Sequence, residues 1–266
     1  MSPTIPKTIY FTWISEQPVP EKYKKYIDSW SKVMPDYEVK QISLQNARRG
    51  KFVNKAIEMK NYALAGHYAR VQELYDNGGI YFDTDIEAIK PLDYLLKHAL
   101  TIGMEDQWIV NNAVIIARKG HEYLKECMDY MDGYDFNSPD IELETGPRMF
   151  THLMRKRGWK NGQVGVFGDV TVLPPVCFYP YHHTEVFRKE CIKEYTYTVH
   201  HWDQSWRRKN KTSVVIPGYT QGQHLSDTIG NILGQDYKDV EITFDDKKLQ
   251  LCFKLNGITL MEISYT

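Results

Sequence analysis

An α/β fold with a predominantly parallel sheet and helices on both faces is the architecture this sequence predicts. Three observations predict it. Short apolar, β-branched runs alternate with longer segments of helical period along most of the 266 residues, the pattern of β-α-β units. Tyr62–Tyr75 reads as a helix whose Leu64, Tyr68, Val71 and Tyr75 share a face, and Asp76-Asn77-Gly78-Gly79 supplies its stop before a buried strand. Hydrophobic residues make up 42% of the chain, enough for one large domain or a domain with an appendage.

In chain order, Lys7–Ile14 is the first expected strand, and Glu21–Val33 a helix with Tyr23, Tyr26, Ile27 and Trp30 on one face. Tyr37–Ile42 is a second strand. Phe52–Met59 is a short helix, followed by Tyr62–Tyr75 and the strand Ile80–Asp83. Pro91–His98 reads as helical and Ala99–Met104 as a strand; Trp108–Ala117, apolar and β-branched, reads as another. His121–Met131 and Gly146–Arg157 are helices, with Pro147 acceptable in a first turn. Val170–Leu173 and Tyr195–His200 are expected to complete the sheet.

The chemistry concentrates where the Ile80 strand ends. Asp83 and Asp85 are one residue apart and in an ideal strand point to the same face. Carboxylates held so repel unless a cation lies between them. A hard divalent ion, Mn2+ or Mg2+, carrying a diphosphate suits that arrangement. A bare Asp-x-Asp is more often a solvated turn. Its place after a helix, a glycine stop and a buried strand makes it a candidate site, because ligands of α/β sheets gather at the carboxyl ends of strands.

The run Ala65-x-x-Tyr68-Ala69-Arg70-x-x-x-Leu74-Tyr75-x-x-Gly78-Gly79-Ile80-Tyr81-x-Asp83-x-Asp85 resembles the core of the family 32 glycosyltransferases, the DXD sugar-binding enzymes. The resemblance opens at Ile5-Pro6-Lys7-Thr8-Ile9-Tyr10-Phe11-Thr12-Trp13-Ile14. It continues through Trp30, Pro35-Asp36-Tyr37-Glu38, Asn111-Asn112-Ala113 and Thr145-Gly146-Pro147, and closes at His200-His201-Trp202-Asp203-Gln204-Ser205-Trp206. The motifs in this order are specific where none alone would be. One departure stands out: Gly66-His67 replaces the family's usual Ser-Asp, whose aspartate helps hold the nucleotide-sugar.

The resemblance implies a GT-A fold over residues 1–206, a nucleotide-sugar donor (a UDP-hexose first, GDP-mannose second) and a saccharide or lipid-linked saccharide acceptor. It implies retention of anomeric configuration and a role in capsular or other surface polysaccharide synthesis. It casts Asp83, Asp85 and Arg70 as catalytic, with Asp85 the direct metal ligand, and Asp83 and His201 as further ligands. The donor-binding residues would be Trp13, stacking on the base, with His67, Arg70, Asp83, Asn112, Ser205 and Trp206. Glu142 and Glu144 are weaker candidates for sugar contacts. On spacing, Arg70 falls on the polar side of its helix, its guanidinium free for a diphosphate. His200 and His201 would point to opposite faces of a strand, so only one can reach the ion. Two other classes fit less well: a nucleotide-sugar-binding module that never cleaves its ligand, and an effector that glycosylates a protein. Donor turnover separates the first of these from an enzyme.

The balance of 33 basic and 34 acidic residues argues against a nucleic-acid partner. No apolar run approaches the ~20 residues of a membrane span. The N-terminus has no signal-peptide pattern, and Cys127, Cys177, Cys191 and Cys252 are scattered, so free thiols in the cytoplasm are expected. Residues 207–211, Arg-Arg-Lys-Asn-Lys, read as a solvated linker or, alternatively, a peripheral contact with anionic lipid. Residues 212–266 resemble the opening β-α-β of a family 2 glycosyltransferase, then alternate like a hairpin with Asn256-Gly257 as its turn. They read as a truncated or vestigial second module.

Overall fold

The computed structural model describes residues 5–48, 50–137 and 145–203, together with the backbone of four strands beyond them. The chain divides into two compact units, Met1–Asp203 and Gln204–Thr266.

The first unit holds a seven-stranded sheet. Its strands are β1 (Thr8–Trp13), β2 (Glu38–Ser43), β3 (Gly79–Phe82), β5 (Leu100–Met104), β6 (Val110–Ala117), β7 (Gly165–Phe167) and β8 (Val170–Leu173), while β4 (Ile86–Ala88) lies outside it. The spatial order is β2-β1-β3-β6-β5-β8-β7. Strands β1, β2, β3, β5 and β8 run one way and β6 and β7 the other, so the sheet is mixed but mostly parallel.

Both faces are covered, because neighbouring residues of each central strand feed different cores. Tyr10, Tyr81, Ile115 and Ala117 join the core beneath α2 (Lys51–Glu58), α3 (Tyr62–Asn77), α4 (Glu122–Asp132) and the Pro147–Lys156 helix. Ile9, Phe11, Ile80, Phe82, Val114 and Ile116 join the other, with Trp30 of α1 (Glu21–Val33), the single-turn Asp93–Lys97 segment and Phe178 of the Pro175–Phe178 turn.

The central α3–β3 junction follows its sequence. Asn61 caps α3 by accepting from Leu64 N at 3.1 Å. Gly78 ends the helix at φ 69°, and its N–H reaches Leu74 O at 2.8 Å. Gly79 follows at φ 122°, where an added Cβ would lie 2.8 Å from Thr8 O. Only glycine combines that backbone with that approach to β1.

Two expectations are corrected. Asp83 is not the last strand residue: β3 stops at Phe82, and Ile86 N bonds to Asp83 O at 3.0 Å, so Asp83–Asp85 form a tight turn rather than an extended pair of common parity. The predicted Tyr195–His200 strand shortens to β9 (Thr198–His200) and pairs antiparallel with β4, with Ile86 opposite His200, instead of completing the main sheet. Strands β4 and β7 and the Pro175–Phe178 turn escaped prediction, being too short to show a period.

Of the second unit, Thr212–Pro217 pairs parallel with Val240–Asp245. Gln250–Lys254 then pairs antiparallel, and Glu262–Ser264 after it. The expected helix, the Asn256-Gly257 turn and the basic run 207–211 lie outside the described residues. Cys127, Cys177 and Cys191 are free thiols, and no helix among the described residues is long and apolar enough to cross a membrane.

Candidate functional site

The site is built by an irregularity in β6. Its register against β5 jumps between Ile102 and Gly103, so that Ile115 faces Ile102 while Asn111 faces Gly103. Residues 112–114 bulge out, and their freed backbone groups need partners. Three of them find one from the site. Asn112 O accepts from Arg70 Nη1 at 3.1 Å, Ala113 O from Asp83 N at 2.9 Å, and Val114 N donates to Tyr179 Oη at 3.1 Å. Asn111 Oδ1 takes the Ala113 N–H at 2.7 Å. The bulge thus ties β6 to α3, to the end of β3 and to the loop after β8.

Asp83 sits where these meet. It receives Tyr81 Oη at 2.8 Å, which itself lies 2.8 Å from Thr12 Oγ1, and its Oδ1 is 3.1 Å from Arg70 Nη2. Arg70 is buried, only 6% exposed, with its guanidinium over the Tyr81 ring at 4.4 Å. This corrects the expectation of a free guanidinium. The helix face that periodicity assigns to polar contacts turns into the bulge, so Arg70 is committed to Asp83 and to the Asn112 and Gly66 carbonyls.

Asp85 is held from the other side. Its Oδ1 lies 3.2 Å from His200 Nε2, its Oδ2 accepts Asp203 N at 2.8 Å, and its carbonyl accepts His201 N at 3.0 Å. Trp30 Nε1 donates to Ile86 O at 2.7 Å and Ala88 N to Ser29 Oγ at 2.9 Å, so α1 fixes the β4–β9 pair that aligns them. Trp202, at φ 52°, occupies the left-handed region that bulky residues avoid. Its ring packs 4.0 Å from His200.

Asp83, Asp85 and His200 bring one ligand atom each within 4.8 Å of one another. The histidine is His200, correcting the expectation of His201. His201 points the opposite way, with Nε2 2.8 Å from Glu87 and its ring stacked on Tyr26. Register decides this: His200 pairs with Ile86, which follows Asp85, and alternation turns its neighbour outward.

Burial pushes Asp83 above the usual carboxylate range; Arg70 pulls it down and Asp85 pushes it up again. For Asp85 burial also opposes ionisation, but His200 and backbone N–H donors outweigh it and hold the carboxyl at about 2. His200 is raised: burial lowers it, and Asp85 more than compensates. Two carboxylates and an imidazole facing one point suit a divalent ion. Among the described residues the buried Asn112 Nδ2 and His200 Nδ1 have no hydrogen-bond partner, which suits a site that a ligand completes.

Trp13, at the carboxyl end of β1, packs on Tyr23 at 5.5 Å and donates Nε1 to Gln17 O. His67 Nδ1 lies 3.1 Å from Thr145 Oγ1. Burial, then the Arg70 charge, lowers His67 from 6.5 to about 3, so it is neutral. Between those values the unfolded chain takes up a proton that the folded chain refuses, so stability falls as pH falls through this window. Urea melts of the wild type and His67→Gln from about pH 7 to pH 4 are expected to show a steeper acid loss in the wild type. Parallel curves would remove this role from His67.

The sequence reading missed Tyr81, Tyr179 and Trp202 as site walls; only the aromatic clustering around the motifs hinted at them. Ser205, Trp206, Glu142 and Glu144 lie outside the described residues.

Two family models match, described as a glycosyltransferase sugar-binding region containing a DXD motif, over residues 20–109, and an alpha 1,4-glycosyltransferase conserved region, over residues 116–221. Among curated proteins, the chain is similar to the lactosylceramide 4-alpha-galactosyltransferase of Mus musculus, 29% identical over 63% of this chain and 44% of that protein. It is also similar to the initiation-specific alpha-1,6-mannosyltransferase of Candida albicans, 30% identical over 58% of this chain and 43% of that protein. A third relative is inositol phosphoceramide mannosyltransferase 3 of Schizosaccharomyces pombe, 24% identical over 76% and 61%. The chain therefore spans less than two thirds of the length of these relatives. Among solved structures it is similar to the PaToxG glycosyltransferase (TM-score 0.48, 19% identity, 57% of this chain and 69% of that one). It is also similar to a glycosyltransferase involved in the glycosylation of the major capsid of PBCV-1 (TM-score 0.44, 13%, 73% and 92%).

Proposed function

We propose that the chain is a family 32 glycosyltransferase that transfers a hexose, from a UDP-sugar first and GDP-mannose second, to a saccharide or glycolipid acceptor with retention at the anomeric carbon. The observation that carries the reading is the convergence of Asp83, Asp85 and His200 beside buried Arg70 at the carboxyl edge of β3. The names of the relatives specify α-linkages and acceptors that include lactosylceramide. An α-linked product from the usual α-configured donor means retention.

In transfer, a bond forms from the acceptor oxygen to the anomeric carbon, and the bond from that carbon to the diphosphate oxygen breaks. The electron pair leaves with the nucleoside diphosphate, and the acceptor proton is released. Asp83, Asp85 and His200 would hold Mn2+ or Mg2+, which supplies positive charge against the departing diphosphate. Arg70 acts from behind, fixing Asp83 and adding a permanent charge that water cannot screen. Trp13 offers an indole face to the base, and Asn112 Nδ2 a free donor for a sugar hydroxyl. We extend the proposal to Ser205 and Trp206 as donors to the β-phosphate. It also covers a place in surface polysaccharide or glycolipid synthesis, in the cytoplasm at the inner face of a membrane, with residues 207–211 as the lipid contact.

A nucleotide-sugar hydrolysis screen tests this. UDP or GDP release from one donor is expected with Mn2+ and not with excess chelator. Tight UDP–Mn2+ binding with no release from any donor, with or without glycolipid acceptors, would favour a non-catalytic binding module instead.

A further inference from the structure

Next to the carboxylate–histidine cluster lies an open cavity of about 410 Å3, within the size range of small-ligand sites. Glu105, Asp106, Tyr179, Tyr181, His182 and Glu185 line it. Topology puts it at the ligand-binding edge. β5 and β8 run parallel to β3, so Glu105 and the loop after β8 emerge at the same end of the sheet as Asp83. The two sites share walls. Tyr179 packs 5.7 Å from the His200 ring, and Trp202 lies between His200 at 4.0 Å and His183 at 5.8 Å. Trp202 Nε1 also donates to Tyr181 O at 2.9 Å.

Glu105 is the most buried of the carboxylates there. Its side chain is only 14% exposed. Asn111 Nδ2 donates to Oε2 at 2.7 Å, and Oε1 lies 3.2 Å from His183 Nδ1 and 3.9 Å from His182 Nε2. Asn111 borders the bulge that also shapes the Asp83 site, so one irregularity places both. Oε1 retains a lone pair toward the cavity, where a hydroxyl can donate to it. Tyr179, Tyr181 and two prolines supply the apolar surface on which the C–H face of a sugar rests. Among the described residues the lining includes three carboxylates and no lysine or arginine, so an anionic ligand would meet like charge there.

We propose that this cavity is the acceptor subsite, and that its carboxylate lining restricts it to saccharide ends that are uncharged or carry an amino group, excluding sialylated, uronic-acid and phosphorylated ends. The assignment rests on the glycosyltransferase reading above. Glu105 is the positioning residue, holding an acceptor hydroxyl toward the donor side of Tyr179.

Saturation-transfer NMR on the full chain, with UDP and Mn2+ at saturation, tests it with lactose, α-mannobiose, chitobiose and sialyllactose as probes. At least one uncharged disaccharide is expected to bind while UDP remains bound, and sialyllactose is not. Glu105→Gln should weaken the disaccharide about tenfold, the effect of one hydrogen bond to a charged group, with UDP affinity unchanged. If that variant fails to fold, Glu185→Gln on the facing loop gives the same comparison. Sialyllactose bound as well as lactose would overturn the proposal, as would disaccharide displaced by UDP or no disaccharide bound while UDP binds. A Zn2+ site that excludes disaccharide and is lost in His182→Ala/His183→Ala would make this a metal cluster and overturn it too. Absence of both UDP and GDP binding would instead break the glycosyltransferase reading, and the acceptor assignment with it.

Discussion

Asp85→Asn is expected to lose the proposed metal-dependent transfer by about 10^3-fold or more while keeping the fold, because it removes the charge that would face the ion and little else. The amide retains an oxygen for Asp203 N and the volume that packs the turn. What it cannot do is balance His200, which sits 3.2 Å away and is raised chiefly by Asp85 against its burial. Without that charge the upward push from Asp85 is gone and burial favours the neutral imidazole. The measurement is donor turnover against Mn2+ concentration, with thermal melting as the folding control. Turnover near wild type at saturating Mn2+, or undiminished in chelator, would remove Asp85 from the mechanism.

Arg70→Met should have the largest effect on stability. The guanidinium is buried, with its side chain 7% exposed against 27% for Asp83, and it serves Asp83, two carbonyls and the Tyr81 ring at once. Methionine fills most of the volume and satisfies none of these. Removing one partner of a buried pair costs about 3–5 kcal/mol, because the other charge is left uncompensated. At about 2–4 °C per kcal/mol for a unit of this size, Tm should fall on the order of 10 °C. Adding Asp83→Asn to Arg70→Met should recover part of that loss, since the stranded charge disappears. Added Mn2+ should also recover part, by supplying a cation to the same carboxylate. Additive losses in the double variant would mean that Arg70 acts through packing alone.

Much of the fold was legible from local rules. The α3 helix, its glycine stop and the apolar β3 strand are short-range features: cap, period and turn chemistry lie within a few residues of one another. The Asp-x-Asp stood out because of that context. The partners of those carboxylates were harder to read. Arg70 lies on the face of α3 that reads as polar, and its burial depends on a bulge in β6, more than forty residues later in the chain. The resemblance names His201 where the structure presents His200, for a related reason. Adjacent residues of a strand point to opposite faces, so alternation says that one of His200 and His201 reaches the metal site without saying which.

The sequence by itself determined the α/β class, the family motifs and the position of the acidic turn at the carboxyl edge of a central strand. Those follow from periodicity and backbone preference, which act between near neighbours. Only the tertiary structure decided which groups share the site. The pairing of β4 with β9 put His200 beside Asp85, and the register jump opposite Gly103 turned Arg70, Asn111 and Asn112 inward. Strand register depends on contacts between distant segments, and a shift of one residue exchanges the two faces of a strand. No local pattern carries that information, so the charges that surround the two aspartates are a property of the folded sheet.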